Sequence, residues 1–132
     1  MVLSSPALVL IAEDELPIAE IVADVVADAG HASLIAPHGR AALDLARAHR
    51  PALIITDLMM PLLDGAALVA ALRADAAAGG FPPPPIILMT ASGVARAAAV
   101  GADVVLLKPF DLAELEALLG RFLPSAVGVG GT

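Results

Sequence analysis

The sequence predicts an α/β domain with one doubly wound, five-stranded parallel sheet that carries helices on both faces. Five short apolar runs are continuous rather than alternating, which is typical of parallel strands buried on both sides. Helical patterns separate these runs, and such alternation favours βαβ crossovers. The chain has 132 residues, the length of one ordinary domain. The predicted strands are residues 7–12, 32–36, 52–56, 86–90 and 104–107.

The predicted helices have recognisable starts and stops. In the first helix apolar residues recur at helical spacing, Pro17 fits the first turn, and Gly30 ends the helix. Pro51 limits the second helix, while Asp111 and Glu114 form a capping-box-like pair at the start of the last. The predicted helices are residues 17–29, 39–48, 64–79, 93–100 and 111–122.

Two segments lie outside the alternating pattern. Phe81 and the four prolines after it predict a stiff, extended loop before the fourth strand. The Gly-rich residues 125–132 predict a flexible C-terminal tail. We therefore expect residues 1–124 to form one domain.

Composition and charge exclude several classes of function. The net charge is −7 and no basic run is present, so we expect no direct binding to nucleic acid or to a membrane. The absence of cysteine excludes disulfides, thiolate metal sites and thiol nucleophiles. No signal peptide or membrane span is recognisable, so a cytoplasmic location is expected.

Five chemically active side chains follow or end predicted strands. Acids stand at Glu13 and Asp14 after the first strand and at Asp57 after the third. Thr90 ends the fourth strand, and Lys108, the only lysine, follows the fifth. Because ligands of open α/β sheets bind at the carboxyl ends of the strands, we expect these side chains to share one pocket.

A cluster of three carboxylates requires a compensating cation. Two unit charges 4 Å apart repel by about 4 kcal/mol at an effective dielectric constant of 20. Oxygen ligands with room for water suit Mg²⁺. With that ion bound, Asp57 could act as a nucleophile toward a phosphoryl donor, since aspartyl phosphate is an established type of intermediate. Lys108 would neutralise charge on the phosphoryl oxygens, and the Thr90 hydroxyl could donate to one of them.

The ordered motifs of this chain resemble the response-regulator receiver domain of two-component signalling, over residues 7–123. The motifs are Ala-Glu-Asp-Glu at 12–15, Ile-Ile-Thr-Asp-Leu-Met-Met-Pro at 54–61, Asp-Gly at 64–65, Leu-Met-Thr-Ala at 88–91, Gly-Ala-Asp at 101–103 and Lys-Pro-Phe at 108–110. The resemblance implies a flavodoxin-like fold with strand order 2-1-3-4-5. It also implies a signalling switch that catalyses only its own phosphorylation and dephosphorylation, not an enzyme with a separate substrate.

The resemblance also implies a role for each site residue. Asp57 would be the phospho-acceptor, and Asp14, Asp57 and the Met59 carbonyl would bind Mg²⁺, with Glu13 acting through water. Thr90 and Lys108 would hold the phosphoryl group.

The resemblance further implies a partner and a backbone feature. The phosphoryl donor would be a phosphohistidine on a histidine kinase or a histidine phosphotransfer protein. The Lys108–Pro109 peptide bond would be cis, and Met59 and Ser92 would influence the phosphoryl lifetime.

The sequence departs from the receiver pattern at the expected output face. Many receivers carry Tyr or Phe two to three residues before the lysine, whereas this chain has Val105. The stretch between Thr90 and Lys108 is about one helical turn shorter than usual. We therefore expect a short, weakly anchored fourth helix and an atypical face of helix four, strand five and helix five. This face is also the expected place for a homodimer.

Other interpretations stay open at this stage. An aspartate-nucleophile phosphohydrolase is one, but Met59 stands where such an enzyme needs a second Asp. A flavodoxin-like FMN protein is another, but Glu13, Asp14 and Glu15 would repel a phosphate. The chain could also be the receiver segment of a larger regulator or of a hybrid histidine kinase.

Individual residues also have purely structural interpretations. Glu13 and Asp14 could cap the first helix, and Asp64 is expected to be only an N-cap. The three histidines are expected to be surface residues rather than metal ligands. They are His31, His38 and His49.

Overall fold

The computed structural model of the chain describes residues 6–124, which contain five strands and five helices in strict alternation. The predicted tail at 125–132 lies outside the described residues. The strands are β1 (Leu8–Ala12), β2 (Ala32–Ala36), β3 (Leu53–Asp57), β4 (Ile86–Thr90) and β5 (Val104–Leu107). The helices are α1 (Leu16–Asp28), α2 (Gly39–His49), α3 (Gly65–Gly79), α4 (Val94–Val100) and α5 (Leu112–Phe122).

All strand pairs are parallel, and the order in the sheet is β2-β1-β3-β4-β5. One face packs against α1 and α5, and the other packs against α2 and α3. On β1, for example, Val9 and Ile11 belong to the first core and Leu10 to the second. The central strands β1, β3 and β4 are mostly apolar without alternation because both of their faces are buried. Together with the all-parallel order, this confirms the predicted fold class.

The helix termini carry the expected capping groups. The Asp64 carboxylate accepts a hydrogen bond from the backbone N–H of Ala67 at 2.9 Å, which confirms its role as the α3 N-cap. At α5 the backbone N–H of Asp111 donates to the Glu114 carboxylate at 3.3 Å. These contacts satisfy backbone donors that the first helical turn leaves unpaired.

Two glycines allow the segment between β3 and α3 to lie against its neighbours. A Cβ atom on Gly39 would lie 1.7 Å from the Leu63 carbonyl oxygen. A Cβ atom on Gly65 would lie 2.4 Å from the Asp57 carbonyl oxygen. Because the opposing atoms belong to the backbone, they cannot turn aside as a side chain could. The glycines therefore set the path of the chain directly after Asp57.

The prediction that all three histidines lie on the surface is wrong for His31, which is 8% exposed. Its Nδ1 atom accepts a hydrogen bond from the backbone N–H of Ala7 at 2.9 Å. That donor precedes β1, so the buried ring satisfies a backbone group at the start of the sheet. His38 is half-buried and accepts from the Ala41 N–H as the α2 N-cap, and His49 is exposed as expected.

None of the helices in residues 6–124 is long and apolar enough to cross a membrane.

Candidate functional site

The sheet brings the predicted acidic residues together at its carboxyl edge. Because Ala12 of β1 pairs with Thr56 of β3, the residues after Ala12 lie beside the end of β3. Carboxylate oxygens of Glu13, Asp14 and Asp57 all lie within 4.8 Å of one another. Glu13 is 1% exposed and Asp57 is 9% exposed, whereas Asp14 faces solvent. The cluster therefore has a buried floor and an open side.

Lys108 reaches into the same cluster from the end of β5. Its Nζ atom lies 2.5 Å from Glu13 Oε1 and 3.1 Å from Asp57 Oδ2. Burial lowers the pKa of Lys108. The hydrogen bonds that its ammonium group donates to Glu13 and Asp57, together with the electrostatic attraction to both carboxylates, outweigh this effect, so the pKa lies above its ordinary value. Lys108 is therefore protonated and positively charged at neutral pH. It balances one of the three carboxylate charges.

The remaining negative charge and the donor set fit Mg²⁺. This ion prefers six oxygens at about 2.0–2.1 Å, keeps several waters and usually takes only one or two carboxylates from a protein. Ligands on such an ion are about 3–4 Å apart, and the three carboxylates lie within 4.8 Å of one another. The residues present can therefore hold Mg²⁺ directly or through water with small adjustments.

Thr90 lies at the same edge, but its hydroxyl is engaged within its own loop. The hydroxyl donates to the Ser92 carbonyl and accepts from the Ser92 N–H at 3.2 Å. The Thr90 carbonyl accepts from the Lys108 N–H at 2.8 Å, which joins the ends of β4 and β5. The backbone of Thr90 is thus placed as predicted, while its hydroxyl would need to leave Ser92 to meet a phosphoryl group.

The Lys108–Pro109 peptide bond is cis, as the resemblance implied. Met59 follows Asp57 by two residues and its side chain is 60% exposed. The assignment of its carbonyl to a metal stays a prediction.

Arg96 is a site neighbour that sequence reasoning did not single out. Its guanidinium lies 2.8 Å from Asp64 Oδ2 and 3.4 Å from the Met59 sulfur. Within α4 it is the only charged side chain among alanines and valines. A single charged residue among alanines and valines could have drawn attention to Arg96. The sequence did not reveal its partner Asp64, which lies 32 residues earlier in the chain.

The fourth helix is short, with seven residues, as predicted. Ala97 is its only fully buried side chain, and it packs with Leu58 and Leu88. Val105, at the place of the expected aromatic residue, packs against the same cluster. The apolar anchorage of α4 is therefore small, but polar contacts from Arg96 add to it.

Comparison with protein families finds that residues 9–120 match the family described as "Response regulator receiver domain". Response regulator Rre1 from Synechocystis is 34% identical over 126 residues, which cover 92% of this chain and 53% of that protein. Response regulator MprA from Mycolicibacterium vanbaalenii is 34% identical over 123 residues, which cover 90% of this chain and 53% of that protein. The chain therefore spans little more than half the length of these curated relatives.

Solved structures give the same match. The chemotaxis response regulator CheY4 of Vibrio cholerae superposes with a TM-score of 0.78 at 32% identity, over 90% of this chain and 100% of that one. The signal receiver domain of a histidine kinase from Syntrophus aciditrophicus superposes with a TM-score of 0.79 at 28% identity, over 93% and 98% of the two chains.

Proposed function

The chain belongs to the response-regulator receiver family, and from that membership we propose that it accepts a phosphoryl group on Asp57 and signals by a change of conformation. Receiver domains are phosphorylated by histidine kinases in two-component systems. The donor to this chain would be a phosphohistidine on such a kinase or on a phosphotransfer protein. One observation carries the proposal: the Asp57 carboxylate lies beside two further acids and within 3.1 Å of the single lysine.

In the proposed reaction a carboxylate oxygen of Asp57 forms a bond to phosphorus as the phosphorus–nitrogen bond of the donor breaks. The protonated phosphohistidine ring leaves as neutral imidazole and takes the electron pair of the broken bond. Lys108 already donates to Asp57 Oδ2 and would neutralise charge on the transferred group. Glu13 also accepts a hydrogen bond from this ammonium group and would help to keep it in place.

Asp14, Asp57 and the Met59 carbonyl would hold Mg²⁺, with Glu13 contributing through water. The bound ion would supply positive charge that offsets the negative charge of the acceptor and of the phosphoryl oxygens. The nearby acidic oxygens support this assignment.

Signalling requires that the phosphorylated state favour a different conformation. To shift a population from 1:99 to 99:1, the new contacts must supply about 5.5 kcal/mol. The Thr90 hydroxyl is a plausible contributor because it now bonds to Ser92 and could exchange that partner for a phosphoryl oxygen. Val105 cannot provide the aromatic swing found in many receivers, so the change would pass through backbone and loop contacts.

A phosphohydrolase is not favoured. Such an enzyme needs a general acid two residues after its nucleophile. Met59 stands at that position, and its side chain has no acidic group. A receiver that transfers a phosphoryl group only to its own aspartate needs an acceptor carboxylate, neighbouring acids and a lysine, which this site contains.

Several broader features of the protein are also proposals. The chain could act alone or within a larger regulator or hybrid histidine kinase, since one structural relative is the receiver of a kinase. Working with such a kinase, it would act in the cytoplasm. Output or homodimer formation would use the face of α4, β5 and α5, where Val94, Leu107 and Leu112 are exposed.

The proposed function can be tested with acetyl phosphate and Mg²⁺, followed by intact-mass measurement. The wild-type protein should gain one phosphoryl group, and Asp57→Asn should gain none while keeping its fold. Asp44→Asn, which changes an exposed carboxylate on α2, is the matched control and should be labelled like the wild type. One phosphoryl group on the Asp57→Asn protein would contradict the assignment.

A further inference from the structure

Two arginines add polar contacts to the small apolar anchorage of the fourth helix. At its start, the Arg96 guanidinium contacts Asp64 and the Met59 sulfur. At its end, Arg73 of α3 donates to the carbonyls of Val100 and Gly101. The helix buries only one side chain completely. These polar contacts therefore connect both ends of a helix whose apolar anchorage is small.

The two groups that Arg96 contacts belong to the segment that leaves the phospho-acceptor strand. Met59 follows Asp57 by two residues, and Asp64 is the N-cap of α3. Asp64 uses both carboxylate oxygens: Oδ1 accepts from the Ala67 N–H and Oδ2 from Arg96. Arg96 therefore binds a group whose position is already fixed by the start of α3.

Backbone hydrogen bonds constrain the same segment directly after Asp57. The Gly65 N–H donates to the Leu58 carbonyl at 2.8 Å, and the Leu58 N–H donates to the Met89 carbonyl at 2.9 Å. A shift of the segment would move the Met59 carbonyl relative to Asp57. A shift of α4 would be transmitted through Arg96 to this segment.

We propose that Arg96 is a positioning residue that couples the conformation of α4 to Mg²⁺ and phosphoryl binding at Asp57. The proposal rests on the proposed function, because it concerns regulation of the same site. Coupling between two sites is reciprocal. If α4 affects ligand binding at Asp57 through Arg96, then ligand binding at Asp57 also affects the conformation of α4. Arg96 thus supplies a connection in a receiver where Val105 replaces the aromatic residue.

The strength of this coupling is limited by exposure. The Arg96 and Asp64 side chains are 51% and 33% exposed, so their ion pair is screened by solvent. Exposed pairs of this kind change an equilibrium by about 1.4- to fivefold. We expect the loss of Arg96 to weaken ligand binding at Asp57 by that factor, without abolishing it.

The test measures Mg²⁺ and beryllofluoride dissociation constants by calorimetry for the wild type, Arg96→Gln, Asp64→Asn and the double variant. Asparagine keeps the α3 N-cap while removing the charge that pairs with Arg96. Each single variant should bind about 1.4- to fivefold more weakly. The double variant should bind no more weakly than either single variant. Arg96→Lys should recover part of the loss. Arg40→Gln, which removes another exposed arginine from an ion pair on α2, should bind like the wild type.

Amide hydrogen exchange provides the reciprocal readout. Beryllofluoride with Mg²⁺ should change the protection of residues 94–100 in the wild type and in Arg40→Gln, and less so in Arg96→Gln. Binding by Arg96→Gln equal to that of Arg40→Gln, or fully additive effects in the double variant, would overturn the role of Arg96. Failure of the wild-type protein itself to bind the ion or the mimic would instead overturn the proposed function.

Discussion

The substitution Gly65→Ala tests whether tight backbone packing maintains the site. The new Cβ would lie 2.4 Å from the Asp57 carbonyl oxygen and 2.9 Å from the Leu58 Cα atom. An ordinary contact begins near 3.4 Å, so the first distance is about 1 Å too short. Either the start of α3 or the end of β3 must move to admit the methyl group.

The expected cost follows from that overlap. Overpacking in a well-packed interior lowers stability by about 1–3 kcal/mol, and alanine returns less than about 1 kcal/mol through its higher helix propensity. With a gain of about 0.5 kcal/mol, we expect a net loss of about 0.5–2.5 kcal/mol in the free energy of unfolding. A displacement of about 1 Å at a reacting group can also slow a reaction by up to about 10²-fold, so phosphorylation of Asp57 by acetyl phosphate should fall markedly.

Urea unfolding and the time course of labelling by intact mass measure the two effects. Gly120→Ala is the matched control, because a Cβ on that α5 glycine would meet no atom within 4 Å. This control should gain about 0.5–1 kcal/mol of stability and label at the wild-type rate. A Gly65→Ala protein as stable and as rapidly labelled as the wild type would refute the packing argument.

Three further substitutions give distinct outcomes. Lys108→Met leaves buried carboxylates without their cation, so stability without Mg²⁺ should fall by about 1–3 kcal/mol in urea unfolding, and an unchanged value would contradict the proposed electrostatics. Mg²⁺ at 100 times its dissociation constant should raise the stability of the wild type by about 2.7 kcal/mol. Asp14→Asn should gain less stability at the same Mg²⁺ concentration. A gain equal to that of the wild type would exclude Asp14 from the metal site. A hydrogen bond from Arg47 lowers the pKa of Asp75. The stability by which the wild type exceeds Asp75→Asn in the free energy of unfolding should therefore be constant above about pH 5. It should disappear as the pH falls through the lowered pKa, and a difference that grew in acid would contradict the sign.

The sheet and its acidic edge could be predicted because both follow from local patterns. Strands buried on both faces must be apolar throughout, and parallel connections place every carboxyl end at one edge. That topology places Glu13, Asp14, Asp57 and Lys108 at the same edge of the sheet. Helix caps such as Asp64 were also predictable, because a capping side chain bonds to a backbone group within three residues.

The placements of His31 and Arg96 were missed because the partners of these two side chains are distant in the chain. His31 was expected at the surface, but its ring bonds to the N–H of Ala7, 24 residues earlier. Arg96 gave little signal because its partner lies 32 residues away and on another element. The Thr90 hydroxyl bonds to Ser92, only two residues later. The position of Thr90 at the end of a strand does not by itself predict this hydrogen-bond partner.

The amino-acid order by itself determined the alternating elements, the capped helices and the edge at which the reactive groups meet, because periodicity and parallel chain direction are sufficient for these. Only the tertiary structure decided that Lys108 bridges Glu13 and Asp57 and that Arg96 joins α4 to the segment after Asp57. Hydrogen bonds and ion pairs require atoms to be about 3 Å apart, and that precision arises only after the helices have packed on the sheet.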